Sequence, residues 1–304
     1  MSFTKNNSKE FEKAYKYCES VTKLHAKSFY FAAKFLPKHK QKAVYPIYAF
    51  CRHVDDEIDE IEAGNEASAV LAVEKWKQKL EDVFQGKNQK FNDESETENQ
   101  NLVFLAWQDL LTKYKIPQNL PLDLIKGVLS DTRINRYETF DELYVYCYRV
   151  ASTVGLMSSE ILGYSDKNAL RYAEAMGIAM QLTNILRDVK EDAAMNRIYL
   201  PQEDLRKFKV SEAQILDNKY NESFVDLMKF QVERARQYYA KGEEGIPLLE
   251  KDSRFTVLLA SRIYSKILDV IEKQNYNVFN RRAHTSKRQK FLAIPKIWFT
   301  ARKL

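Results

Sequence analysis

The stretch "GIAMQLTNILRDVKED", residues 177–192, constrains the fold more than any other. At 100° per residue, Gln181, Asn184, Asp188 and Asp192 fall within roughly 80° of one another on a helix. The other directions carry mainly Ile, Met, Leu and Val. A polar stripe with apolar residues on both sides suits a helix face lining a polar cavity. A solvated acidic face is the plainer alternative, but amides seldom interrupt a buried face without partners.

A second acidic run, "CRHVDDEIDE" at 51–60, repeats the pattern. Tyr48, Arg52, Asp55 and Asp59 fall in an arc of roughly 60°, with Asp56 at its edge. Like charges at i,i+4 destabilise an isolated helix by about 0.2–0.5 kcal/mol per pair. Arg52, one turn earlier, offsets part of this, and a divalent cation would offset more. Alone, this run is more often a solvated face. Together, two facing helices could bring four carboxylates to one place, which needs counter-charge. Mg²⁺ fits best, because it prefers oxygen and keeps waters and phosphate oxygens as further ligands. Zinc fits poorly: His25, His39, His53 and His284 show no HExxH spacing.

The rest of the chain predicts an all-α protein. Only 8 Gly and 7 Pro occur in 304 residues, against average usage near 7% and 5%. Helical spacing dominates, with helices expected over about 8–35, 40–62, 67–85, 101–115, 120–135, 140–163, 166–194, 211–241 and 252–275. Pro46 predicts that the second of these begins near it or kinks there. Residues 86–101 form a polar surface loop. No linker, repeat or strand pattern appears, so 1–304 is expected to be one helical domain around a central cavity. Its walls can draw on 18 Tyr and 17 Phe. A diphosphate on an apolar tail suits such a cavity.

Net charge is +6 and pI about 8.9. That suits anionic ligands or a membrane surface and is too diffuse for nucleic-acid binding. Three scattered cysteines without CxxC suggest reduced thiols in the cytoplasm. No signal peptide or membrane span is expected. The basic amphipathic tail, 287–304, either packs on the body, the commoner outcome, or lies at a membrane interface. No obligate protein partner is predicted.

"HAKSFYFAAKFLP", "AVYPIYAFCRHVDDEID", "YCYRVASTVG" and "QLTNILRDVKEDAAMNRIYLP" resemble the head-to-head prenyl synthases, which make squalene, dehydrosqualene and phytoene. Order and spacing match over about residues 15–290. The resemblance implies an isoprenoid-synthase fold in which two prenyl diphosphates condense to a cyclopropyl diphosphate that then ionises and rearranges. It assigns two or three Mg²⁺ ions, with substrate diphosphate, to Asp55, Asp56, Asp59, Asn184, Asp188 and Asp192. It places Lys27, Ser28, Arg52, Asn184 and Arg187 at the substrate, with Tyr264 and Arg282 as weaker matches; Tyr48 and Gln181, on the two polar arcs, join them as candidates, as does His25, for which a structural role is the plainer alternative. Tyr146 matches a tyrosine proposed for proton transfer or cation stabilisation. The basic run 281–290 either stays on the surface or closes over diphosphate.

Two positions depart from the family pattern. Ser152 replaces a usual glycine and would tighten the pocket or the helix packing. Lys190 replaces a frequent glycine and, at 200° from Asp188, points off the acidic face. No dinucleotide motif appears, so no NADPH is expected. Ala32 and Ala33, one turn after Phe29, leave room for a long chain, favouring two geranylgeranyl over two farnesyl diphosphates. A terpene cyclase and a non-catalytic lipid-binding relative are weaker alternatives.

Overall fold

The computed structural model describes residues 2–59, 66–87 and 98–304. Among these the chain is helical and has only isolated bridges, Arg136 with Ile198 and Tyr164 with Leu249. The expected helices form, with informative differences at their ends. The first region is two helices, α1 (Ser2–His25) and α2 (Lys27–Ala33), broken at Ala26. Helix α3 (Lys38–Asp59) starts eight residues before Pro46 and runs through it. The missing N–H is tolerated, and the Pro46 carbonyl accepts from the buried Trp107 indole at 3.0 Å.

Helices α4 (Glu66–Phe84) and α5 (Glu98–Lys113) flank the polar segment. That segment is therefore shorter than expected at its far end, and residues 88–97 lie outside the described residues. After α6 (Asn119–Ser130) comes α7 (Phe140–Cys147), a π-helical turn (Tyr148–Ser152) and α8 (Thr153–Leu162), where one helix was expected.

The helix expected over 166–194 is also two: α9 (Ala169–Arg187) and α10 (Val189–Ala194). The break falls at Asp188, whose φ of −106° and ψ of 15° leave the helical region. Neither Gly nor Pro marks it. Short helices α11 (Gln202–Lys207) and α12 (Glu212–Leu216) precede α13 (Glu222–Glu243) and α14 (Lys251–Lys273). Asn221 caps α13 by accepting from the Phe224 N–H, which separates it from α12. The tail is α15 (Lys287–Ala301).

The core has two main parts. One gathers α1, α3, α4, α5, α6 and α8 around Phe50, Phe104 and Trp107. The other packs α13 along α9 with α7 and α14, around Phe224, Leu227 and Met228. Tyr148, in the π-helical turn, packs on both. Close approach of α9 to this turn explains Gly177: a Cβ there would lie 2.4 Å from Ser152 Cα. Ser152 is buried and donates to the Glu174 carbonyl at 2.7 Å. Its hydroxyl therefore tightens helix packing.

Candidate active site

The α9 stripe is held in place by its own side chains. Asn184 donates to Gln181 Oε1 at 3.1 Å. Its Oδ1 accepts from the Tyr264 hydroxyl of α14, and Tyr264 in turn accepts from Arg187 at 3.2 Å. Arg187 Nε reaches Asp188 Oδ1 at 2.8 Å, and Arg282 Nε reaches the same oxygen at 2.7 Å. The two weaker candidates, Tyr264 and Arg282, thus join Asn184, Arg187 and Asp188 in one network. Burial alone would raise the Asp188 pKa, but the two guanidinium groups hold it below the ordinary carboxylate value.

Asp192, one turn on, is the opposite case. Burial, then the charge of Asp188, push its pKa up to about 8, against a smaller pull from Arg197. The break at Asp188 separates the two aspartates onto successive helices, but the Asp192 N–H still donates to the Asp188 carbonyl at 2.9 Å. A pocket of only about 10 Å³ lies against Asp192, Arg197 and Tyr199. A wider cleft of about 440 Å³ opens beside α4, lined by Ala67, Leu71 and Arg133.

On α3, Arg52 lies 3.6 Å from Asp55 and pairs more closely with Asp56. The Asp59 side chain lies outside the described residues. Tyr48 stacks on Phe29 at 6.0 Å and is raised in pKa, by burial first, with Arg52, Asp55 and Tyr264 also acting on it.

The α2 candidates find a partner the sequence did not single out. Lys290, at the start of α15, donates to Ser28 Oγ at 2.7 Å. Burial, and then Lys27, lower its pKa. Two lysines and a hydroxyl thus gather where α15 meets α2. His25 is exposed at the end of α1, and no described hydrogen bond or ion pair joins it to the acids.

Tyr146 is buried on α7 and donates to Asp131 at 2.9 Å. Tyr199 donates to the same carboxylate. Neither Asp131 nor Tyr199 was selected from the sequence. Tyr199 lies within the "RIYLP" motif, but only the fold brings Asp131 to it.

The donor chemistry fits Mg²⁺. Among the described residues no group of three or more His, Cys, Asp or Glu converges to hold a metal. Mg²⁺ needs fewer, since one or two carboxylates with substrate phosphates and waters suffice. Residues 22–289 match the squalene/phytoene synthase family. The chain belongs to that family. It is 40% identical over 305 residues to a 15-cis-phytoene synthase of Synechocystis sp., spanning 96% of this chain and 87% of that one. A phytoene synthase of Arthrospira platensis is 38% identical, over 96% of this chain and 94% of the relative. Among solved structures, a dehydrosqualene synthase with bound ligand superposes with a TM-score of 0.87 at 32% identity, over 98% and 100% of the two chains.

Proposed function

We propose that this family member condenses two geranylgeranyl diphosphates to phytoene through prephytoene diphosphate, in a single helical domain spanning 1–304. Family members are prenyltransferases, and the nearly full-length likeness to phytoene synthases favours this substrate over farnesyl diphosphate. The carrying observation is the Asn184–Tyr264–Arg187–Asp188–Arg282 network. Asp55, Asp56, Asp59, Asn184, Asp188 and Asp192 would hold Mg²⁺, which supplies positive charge to the leaving diphosphate. NADPH takes no part.

The chain's own side chains do the remaining work. Arg52, Arg187 and Arg282 bind and neutralise diphosphate, as do Lys27, Ser28 and Lys290 at the other edge. The aromatic walls at Phe29 and Tyr48, and at Tyr146 and Tyr199, exclude water and present ring faces to the allylic cation. Ala32 is buried against Leu258, Leu259 and Ile297, so its small size serves the contact of α2 with α14 and α15. Ala33, buried in the larger core with Phe29 and Tyr48 at its margin, is the position that makes room for chain length.

One incubation tests this: Mg²⁺ with farnesyl or geranylgeranyl diphosphate, without NADPH, then mass analysis. The expected product is a forty-carbon hydrocarbon from the longer substrate. A thirty-carbon product formed much faster from the shorter one would overturn it and the reading of Ala33.

The tail carries the second part of the reading, peripheral binding to an anionic membrane surface at the inner face of the cell membrane. Among the described residues no helix is long and apolar enough to cross a membrane. Helix α15 buries Ile297 against the body yet leaves Phe291, Leu292 and Phe299 at least 60% exposed, beside Arg288, Lys296 and Arg302. Basic residues beside exposed aromatics suit a lipid interface. Replacing Phe291, Leu292 and Phe299 with Ser should abolish flotation with phosphatidylglycerol vesicles; unchanged flotation would exclude the tail.

A further inference from the structure

The hydroxyls of Tyr146 and Tyr199 share one acceptor. Tyr146 donates to Asp131 Oδ2 at 2.9 Å and Tyr199 to Oδ1 at 3.0 Å. The rings stack at 5.1 Å between centroids and 24° between planes. Tyr137 packs on both, at 5.4 and 5.9 Å. Each phenol has one proton, so with both committed to the carboxylate neither is left for the 3.4 Å contact between the two oxygens. Burial, then the charge of Asp131, raises both phenol pKa values and keeps both groups protonated.

Three separate segments converge here. Asp131 follows the last residue of α6, Tyr146 lies on α7, and Tyr199 lies between α10 and α11. The Arg197 guanidinium donates to the Asp131 carbonyl at 3.4 Å, and the Ile198 N–H donates to the Asn135 carbonyl at 3.0 Å. The backbone on both sides of the carboxylate is thereby fixed.

We propose that Asp131 is a positioning residue of the coupling reaction: one carboxylate that sets the O–H direction of Tyr146 through one oxygen and of Tyr199 through the other. This rests on the reading of Tyr146 as the side chain that meets the reacting carbon skeleton. With its proton turned toward Asp131, Tyr146 offers that skeleton oxygen lone pairs and the negative end of its dipole. The arrangement selects cation stabilisation over donation of a proton to the departing diphosphate. Asn at 131 would reverse it for one phenol, because an amide has one accepting and one donating end.

A double-mutant cycle on the full chain tests the coupling. Asp131→Asn, Tyr146→Phe and the double variant are compared with geranylgeranyl diphosphate and Mg²⁺, reading kcat, KM and the fraction stopped at the cyclopropyl diphosphate. Loss of an outer hydrogen-bond partner predicts a fall in kcat of about 10–100-fold for Asp131→Asn, with KM within about twofold. The double variant should be no slower than the slower single variant, and Asp131→Glu should recover part of the rate. Losses that multiply would overturn the proposal, because Asp131 would then act without Tyr146. Full kcat in Tyr146→Phe would instead remove the reading of Tyr146, and the proposal with it. If Asp131→Asn fails to fold, Asp131→Glu completes the same cycle with Tyr146→Phe: its smaller loss of kcat should likewise vanish once Tyr146 is absent, and a loss that persists would overturn the proposal.

Discussion

The two acidic regions share an Asp pair at i,i+4 and differ in where their counter-charge comes from. On α3 it is local, with Arg52 pairing with Asp55 and Asp56 from the same helix. At Asp188 it is local and tertiary together: Arg187 is adjacent, Arg282 arrives from 94 residues away, and Tyr264 of α14 braces Arg187. The Asp55 side chain is 47% exposed and that of Asp188 only 17%. A buried charge supported from several elements loses more when one partner is removed than an exposed charge with a local partner. The Asp188 region should therefore be the less tolerant of the two.

The largest effect tests that ranking directly. Asp188→Asn removes a candidate metal ligand and leaves two guanidinium groups facing a neutral amide. Activity should fall by about 10³-fold, at the upper end for loss of an electrostatic group at a reacting centre. Asp55→Asn should fall less when both are assayed at saturating Mg²⁺. Equal losses would erase the distinction.

The arginines come next. Arg282→Ala should cost about 10²-fold in kcat/KM, as the loss of one charge-stabilising group does. It should also raise the Asp188 pKa, since one of its two supports is gone. Arg52→Ala should cost less in kcat/KM and act mainly by raising KM for diphosphate substrates, because it leaves Asp55 near solvent and takes a close pairing only from Asp56. Steady-state kinetics on both variants separate the cases, and a larger loss for Arg52→Ala would reverse the ranking.

Legibility follows the same division. Helical periodicity exposed the Gln181–Asn184–Asp188 stripe and the Tyr48–Arg52–Asp55 arc, because both lie within single helices. The break at Asp188 had no local signal, since it lies in "ILRDVKED", free of Gly and Pro. The pairing of Asp131 with Tyr146 and Tyr199 joins residues 15 and 68 positions apart, beyond the reach of spacing. The partnership of Lys290 with Ser28 spans 262 positions. The basic run 281–290 stood out as charge, but only the docking of α15 on α2 selects Lys290 from it. The π-helical turn after Cys147 was likewise invisible, since its residues form an ordinary α-helical pattern.

A smaller effect concerns Asp192. Its pKa of about 8 in the fold lies far above the unfolded carboxylate value near 3.9. The folded state then binds the extra proton between those values. Stability from this group is fully present below about pH 4 and is lost as pH rises toward 8. Without Mg²⁺, Asp192→Asn should therefore raise Tm at pH 8 by roughly 2–4 °C per kcal/mol recovered, while reducing activity. At pH 4 the two proteins should melt together. A Tm gain that does not depend on pH would show that ionisation of Asp192 carries no penalty.

The smallest effect belongs to Lys190, the departure expected to be silent because it points off the acidic face. The helix breaks at Asp188, and Lys190 has a partner of its own. Its ammonium donates to the Phe279 carbonyl at 2.8 Å, three residues before Arg282. It thus ties α10 to the segment that delivers the distant arginine to Asp188. One hydrogen bond is worth about 1 kcal/mol net, so Lys190→Ala should lower kcat/KM by no more than about fivefold. The loss should disappear in an Arg282→Ala background, where there is no guanidinium left to position. If Lys190→Ala costs the same with and without Arg282, the tie serves only the fold, and Arg282 is set in place by its own pairing with Asp188.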